Sequence, residues 1–183
     1  MILFILLGVL IAAIRGKHPR KLLHEPSLLP LIALEIVFWV FQISAWMGDY
    51  RFVPYGGWLQ MGCILSLLWP ILKFRLYPRA LAGAAMVCAG SLLNRAAMAA
   101  NGGSMPVYPT LSRLTGYYRD GALAASGDVR HILMSGSTRL NFLGDYIDAG
   151  FSVMSVGDLL IHGFVTLIIY GVAARLDDTK EEG

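Results

Sequence analysis

Ionisable and amide side chains interrupt segments of this chain that are otherwise apolar. Asp158 and His162 are four residues apart, so a helix places them on one face. Charged groups in an apolar helix are costly and usually face a protein interior or a cavity. Residues of this kind therefore predict a polar pocket at membrane depth. At a similar level we expect Gln42, Asn94, Arg95, Asp158 and His162, with Asn101 and Arg139 nearby in the following loop.

Each of these side chains also has a structural interpretation. Arg95 can extend to the lipid head groups, and Asp158 can complement the N-terminus of its own helix. Asn94 and His162 can hydrogen-bond a neighbouring helix. Glu35 is expected about 10 Å deeper than the pocket, from the helical rise, and it has no oppositely charged neighbour in sequence. The sequence leaves both interpretations open.

The composition requires a bilayer as solvent. Of the 183 residues, 56% are hydrophobic and 15% are charged, whereas a soluble domain carries about 25% charged residues. We therefore predict an all-α integral membrane protein with about five transmembrane helices in a single polytopic domain over residues 1–176. The expected spans are 1–14, 28–46, 55–72, 80–100 and 156–174. The first covers only about 21 Å of a ~30 Å hydrocarbon core, so it is a short or tilted span.

Charge placement predicts the orientation. Basic residues cluster after the first span, from Arg15 to Lys21, and after the third, from Lys73 to Arg79. The positive-inside rule places these short loops in the cytoplasm and the N-terminus outside. Residues 101–155, which we call the cap, then form a long extracytoplasmic loop between the fourth and fifth spans. Residues 177–183 form an acidic cytoplasmic tail.

The cap is rich in glycine and nearly balanced in charge. Residues 111–118 and 129–134 are candidates for short helices on the membrane. A metal site built from His131, His162, Asp148 and Asp158 is an alternative, but this spacing matches no standard ligand motif, and no metal or cofactor is expected. The basic clusters are short and border the membrane, so no nucleic-acid partner is expected.

Two segments carry a resemblance to known proteins. They are Asn101-Gly102-Gly103-Ser104-Met105-Pro106-Val107 and Ser155-Val156-Gly157-Asp158. Together they resemble an uncharacterised bacterial family of small multi-pass membrane proteins, known only as a domain of unknown function. The resemblance implies a bacterial cytoplasmic (inner) membrane location and brings no known activity.

The C-terminal third is also similar to type II (lipoprotein) signal peptidases. The similarity runs from Arg139 through Asp145 to Ser155 and His162. Those enzymes are aspartic proteases, and the match implies Asp145 and Asp158 as the catalytic pair. In such a pair one carboxyl is ionised and activates water, while the neutral one polarises the scissile carbonyl. Ser155 stands where that family has Asn.

The leading functional expectation is a binding protein. Its outer polar pocket would hold a lipid-like ligand, or it would serve as a subunit of a larger membrane complex or homo-oligomer. Membrane lipid is the expected partner. The second expectation is an intramembrane aspartic hydrolase that uses Asp145 and Asp158. A transporter is third, because no paired broken helices are visible.

Overall fold

The chain forms a helical membrane protein. A computed structural model describes residues 1–127 and 129–178. Four segments in this range are long and apolar enough to cross a membrane, which confirms the expected class of protein. They are Pro26–Trp46, Val53–Lys73, Tyr77–Ala99 and Val156–Asp178. Residues 179–183 of the expected acidic tail lie outside the described residues.

Eight α-helices and four short strands follow one another along the described chain. In order they are α1 (Ile2–Ile14), α2 (Leu29–Trp46), α3 (Gly56–Ser66), α4 (Leu68–Lys73), α5 (Tyr77–Ala99), β1 (Met105–Val107), α6 (Leu111–Leu114), α7 (Ala122–Ser126), β2 (His131–Leu133), β3 (Ile147–Asp148), β4 (Val153–Met154) and α8 (Val156–Asp178). Short 3₁₀ turns cover Pro19–His24, Pro26–Leu28, Val53–Tyr55 and Asn141–Leu143. The third expected span is broken between α3 and α4, because Pro70 cannot bond to the carbonyl of Ser66.

The first expected span, residues 1–14, is not among the four segments long enough to cross a membrane. The 13 residues of α1 cover about 20 Å at the helical rise, less than a ~30 Å core. The Met1 amino group lies 3.2 Å from Oε1 of Glu35, and the Thr166 hydroxyl donates a hydrogen bond to the carbonyl of Phe4. Helix α1 therefore starts beside the interior turns of α2 and α8, not beside their ends.

The described residues divide into two compact units. The first contains residues 1–37, 58–87 and those from 161 onward, and its core is built around α8. Half of the apolar window of α8 is buried, against 22% or less for the other spanning segments. Gly83 permits close packing there, since a Cβ atom would lie 2.0 Å from Cδ2 of Phe164. Core side chains of α8 include Phe164, Val165, Ile168, Ile169, Val172 and Ala173.

The second unit contains residues 38–57 and 88–160, and it includes the cap. Strands β1 and β2 pair in parallel, with Met105 opposite His131, and β3 pairs antiparallel with β4. The expected helix at 129–134 is therefore wrong, because residues 131–133 form a strand. A helix this short is marginal in isolation, whereas pairing with β1 satisfies its backbone groups. Helix α6 stops at Leu114, and Gly116 follows with a positive φ of 74°.

Candidate functional site

The start of α8 is fixed by two reciprocal hydrogen bonds. The backbone N–H of Asp158 donates to Oγ of Ser155 at 2.9 Å. The N–H of Ser155 donates to Oδ2 of Asp158 at 3.0 Å. This arrangement is a capping box, which satisfies N–H groups that a helix start leaves without partners. The Ser-x-Gly-Asp segment therefore has a structural role that its residue types explain.

Asn94 on α5 joins this cap. The Ser155 hydroxyl donates to Oδ1 of Asn94 at 2.8 Å, and Nδ2 of Asn94 donates to Oδ1 of Asp158 at 2.9 Å. We call Asn94, Ser155 and Asp158 the Asn94 cluster. Gly157 allows the close approach, because a Cβ there would lie 2.0 Å from Oδ1 of Asn94. Both carboxyl oxygens of Asp158 are thus occupied by hydrogen bonds within the protein.

The Asn-Gly-Gly segment ends α5. The Asn101 side chain donates to the carbonyls of Ala97 and Arg139, and it accepts a bond from the N–H of Arg139. The N–H of Gly103 bonds to the carbonyl of Met98 at 2.8 Å, and Gly102 and Gly103 both have positive φ. Glycine takes this conformation at no steric cost. The following Met-Pro-Val residues form β1.

Asp145 occupies the centre of the cap. Its N–H donates to the carbonyl of Pro106 at 2.8 Å, and its carbonyl accepts from the N–H of Tyr108 at 2.7 Å. The residue is only 5% exposed, and Oδ1 of its side chain has no hydrogen-bond partner among residues 1–127 and 129–178. Oδ2 lies 3.5 Å from Nε2 of His131 on β2. Asp145 therefore combines a fixed backbone with a buried acceptor that lacks a donor.

The electrostatics of this carboxyl follow from its surroundings. Burial has the largest effect on the pKa of Asp145 and raises it, repulsion from Asp158 raises it as well, and the neighbouring His131 lowers it, so that the net pKa is about 7. Asp158 is therefore close enough to act on Asp145 through space. No hydrogen bond joins the two carboxyl groups in the described part of the chain. Strongly shifted pKa values of this kind concentrate at functional sites.

The other residues of the expected polar pocket have separate partners. Gln42 donates to the carbonyl of Phe151 at 2.9 Å and accepts from the Tyr117 hydroxyl at 2.8 Å. Arg95 is exposed. The side chain of Arg139 is exposed as well, and its backbone holds Asn101. Gln42 and the backbone of Arg139 bond within the second unit, and the side chains of Arg95 and Arg139 face outward.

Glu35 and His162 belong to the first unit. The Glu35 carboxylate is 5% exposed and faces the Met1 amino group. Nε2 of His162 lies 3.1 Å from the side-chain amide of Gln60, and its ring is 5.1 Å from the ring of Phe4. His162 on α8 therefore makes a hydrogen bond to Gln60 on α3, as its structural interpretation predicts.

The alternative metal site is not assembled. Among residues 1–127 and 129–178, no three His, Cys, Asp or Glu side chains are arranged to hold a metal ion. Asp158 bonds within the Asn94 cluster, and Asp148 bonds to residues of α6. The remaining proposed ligand of the cap, His131, lies beside Asp145, with Nε2 of the ring 3.5 Å from Oδ2 of the carboxyl group.

From the sequence, Asp148 was expected only as one of four ligands in the alternative metal site. Its Oδ2 accepts bonds from the N–H groups of Thr110 and Ser112 at 2.7 and 2.9 Å, and from the Ser112 hydroxyl at 2.7 Å. Burial alone would raise the pKa of Asp148, but the bonds from Ser112 and its neighbours outweigh burial and lower it. Asp148 therefore holds the start of α6 from 36 residues away, a pairing that has no local sequence signal.

Comparison with known proteins identifies a family and no activity. The family of unknown function DUF5317 matches residues 21–170, and the chain belongs to this family. This confirms the expected membership of an uncharacterised family. No curated protein and no solved structure matches the chain.

The shifted pKa of Asp145 predicts a pH-dependent stability. Because its folded-state pKa is raised, its stabilising contribution is fully present below the ordinary value of 3.8 and is lost as pH rises through about 7. Asp145→Asn should remove this dependence, on the order of 4 kcal/mol for a shift from 3.8 to about 7. Thermal unfolding in detergent from pH 4 to 8 measures it. Asp120→Asn, at an 84% exposed side chain, is the matched control; equal slopes for wild type and Asp145→Asn would contradict the prediction.

Proposed function

We propose that this member of DUF5317 is a ligand-binding membrane protein in which Asp145 anchors a lipid-like ligand. The observation that supports this function is the buried Oδ1 of Asp145, which has no donor. A buried acceptor without a donor costs about 1–3 kcal/mol. A ligand that supplies an N–H or O–H group recovers this energy, so the site favours such a ligand.

The nature of the donor follows from the charges around Asp145. Asp158 lies near enough to raise the pKa of Asp145, so the local potential is negative. An ammonium head group complements a negative potential and can donate to Oδ1. Because the cap connects two segments that are long and apolar enough to cross a membrane, we expect it next to the lipid head groups of one leaflet. A membrane lipid with a primary amine is therefore the ligand that suits both charge and location.

The orientation of the protein is part of this proposal. The positive-inside rule assigns the cap to the extracytoplasmic side of a bacterial inner membrane and the C-terminus to the cytoplasm. The small-residue surface of α5 suits a helix of a larger complex, and only 17% of the apolar window of α5 is buried. The protein would then both bind a lipid-like ligand and serve as a subunit of a larger membrane complex.

Head-group preference tests the proposal. Lysophosphatidylethanolamine carries N–H donors, whereas lysophosphatidylcholine with the same acyl chain has a quaternary ammonium without them. At pH 8 we expect the wild-type protein to bind the ethanolamine lipid roughly tenfold more tightly, since hydrogen bonds to charged groups contribute about 1.5–3 kcal/mol. Ligand-induced shifts of the thermal unfolding midpoint in detergent measure this preference.

Asp145→Asn should abolish the preference, whereas Asp178→Asn, at a carboxylate with a 54% exposed side chain, should retain it. The preference of the wild type should also fall as the pH drops from 8 to 5.5, because protonation of Asp145 removes its charge. Equal binding of the two lipids by the wild type, or a preference that survives Asp145→Asn, would contradict the proposed site.

A second candidate function is an aspartic hydrolase, and one observation favours it. Asp145 and Asp158 interact electrostatically, as a catalytic pair must, and Asp145 is the member with the raised pKa. The opposing observation is that both oxygens of Asp158 already accept hydrogen bonds from Asn94 and Ser155. Binding therefore agrees better with the geometry.

A cleavage assay decides between the two functions. The probe is a diacylglyceryl-modified peptide in detergent micelles, analysed by mass spectrometry. As a binding protein, the wild type should give no cleavage above the level of the double variant Asp145→Asn/Asp158→Asn. Turnover that each single substitution reduces by at least about 100-fold, the scale of general acid–base catalysis, would instead establish the hydrolase.

A further inference from the structure

An open groove in the cap forms a second candidate binding site. It has a volume of about 430 Å³ and lies where the parallel strands β1 and β2 end. Ligand pockets are typically apolar with few polar groups, and about 300–1,000 Å³ in volume. This groove has one cation, the guanidinium of Arg113. The lining residues are Val107, Tyr108, Pro109, Thr110, Arg113, Leu133 and Met134.

The guanidinium of Arg113 is held in place by two neighbours. It lies 4.9 Å from the centre of the Tyr118 ring, and its Nη1 donates to Oδ1 of Asp120 at 2.6 Å. The Asp120 side chain is 84% exposed, and exposed ion pairs of this type contribute little. A phosphate group binds Arg by two parallel hydrogen bonds. It can therefore displace Asp120 while Tyr118 keeps the guanidinium in position.

Exposed apolar side chains flank the cation. Leu114 is 85% exposed, Tyr108 is 56% exposed and Leu111 is 45% exposed. Asp148 fixes the backbone of this segment by accepting hydrogen bonds from the N–H groups of Thr110 and Ser112. Leucines beside a cation suit the boundary between head groups and acyl chains. This combination favours a lipid over a soluble anion as the occupant.

We propose that this groove binds an anionic phospholipid of the adjacent leaflet, with Arg113 on the phosphate and Leu111 and Leu114 among the acyl chains. The site is separate from the donor site at Asp145, and the inference does not depend on the function proposed above. A lipid held here would place the cap against the membrane surface.

The test compares an anionic lipid with a zwitterionic lipid that has the same acyl chains. Phosphatidylglycerol and phosphatidylcholine with identical chains are titrated into the detergent-solubilised full chain, and bound lipid is counted by native mass spectrometry. We expect the wild type to prefer phosphatidylglycerol, and Arg113→Gln to bind it about tenfold more weakly. Arg113→Lys should recover part of this affinity, because Lys keeps the charge without the paired donors.

The matched control is Arg51→Gln. Arg51 is also an exposed arginine paired with a carboxylate, at 2.7 Å from Asp49, and it does not line the groove. This control should bind phosphatidylglycerol as the wild type does. Leu114→Ser, which leaves the charge in place, should also weaken binding. Equal losses in Arg113→Gln and Arg51→Gln, or equal binding of the two lipids, would overturn the site. Competition by inorganic phosphate at equal concentration would overturn the lipid as its occupant.

Discussion

The arrangement of the cap depends on the single side-chain amide of Asn94. Its oxygen accepts from the Ser155 hydroxyl and its nitrogen donates to the Asp158 carboxylate, so one side chain on α5 fixes the first turn of α8. The residue before Ser155 belongs to β4, and the carbonyl of Met154 accepts from the N–H of Tyr146. The position of Asp145, one residue earlier, is therefore set by the same anchor.

This anchor links structure to electrostatics. The bonds that cap α8 also hold Asp158 at a fixed place near Asp145, and repulsion between the two carboxyl groups adds to the effect of burial. Asp145 is held from the other side by its backbone bonds to Pro106 and Tyr108. A shift of its backbone would break these two hydrogen bonds. The unusual chemistry of Asp145 is thus a consequence of how the cap is fastened.

The sequence predicted what short-range patterns determine. Continuous apolar runs indicated the segments that became α2, α5 and α8, because the requirement to satisfy backbone groups in lipid leaves helices as the outcome. The same logic could not determine α1, whose length is marginal and whose position depends on contacts with Glu35 and Thr166. The strand at 131–133 was missed for a related reason, since its partner lies about 26 residues earlier.

The site was predictable only in part. Residue types and depth identified Asn94 and Asp158, but both their structural and functional interpretations fitted the sequence equally well. The hydrogen bonds favour the structural interpretation, because the two side chains bond to each other and to Ser155. Asp145 was a candidate only because of a resemblance to type II signal peptidases. Its burial and its contact with His131 depend on pairings between distant segments. No local pattern in sequence encodes those pairings.

The most direct measurement is the protonation of Asp145 itself. Infrared difference spectra of the detergent-solubilised protein across pH 4 to 9, compared with spectra of Asp145→Asn, isolate the carbonyl stretch of this one carboxylic acid. We predict that the Asp145 carboxyl is protonated at low pH and titrates near pH 7, because it is buried and lies near Asp158. A carboxyl that titrates near the ordinary value of 3.8 would show that Asp145 is solvated, and it would contradict the buried site on which the proposed function depends.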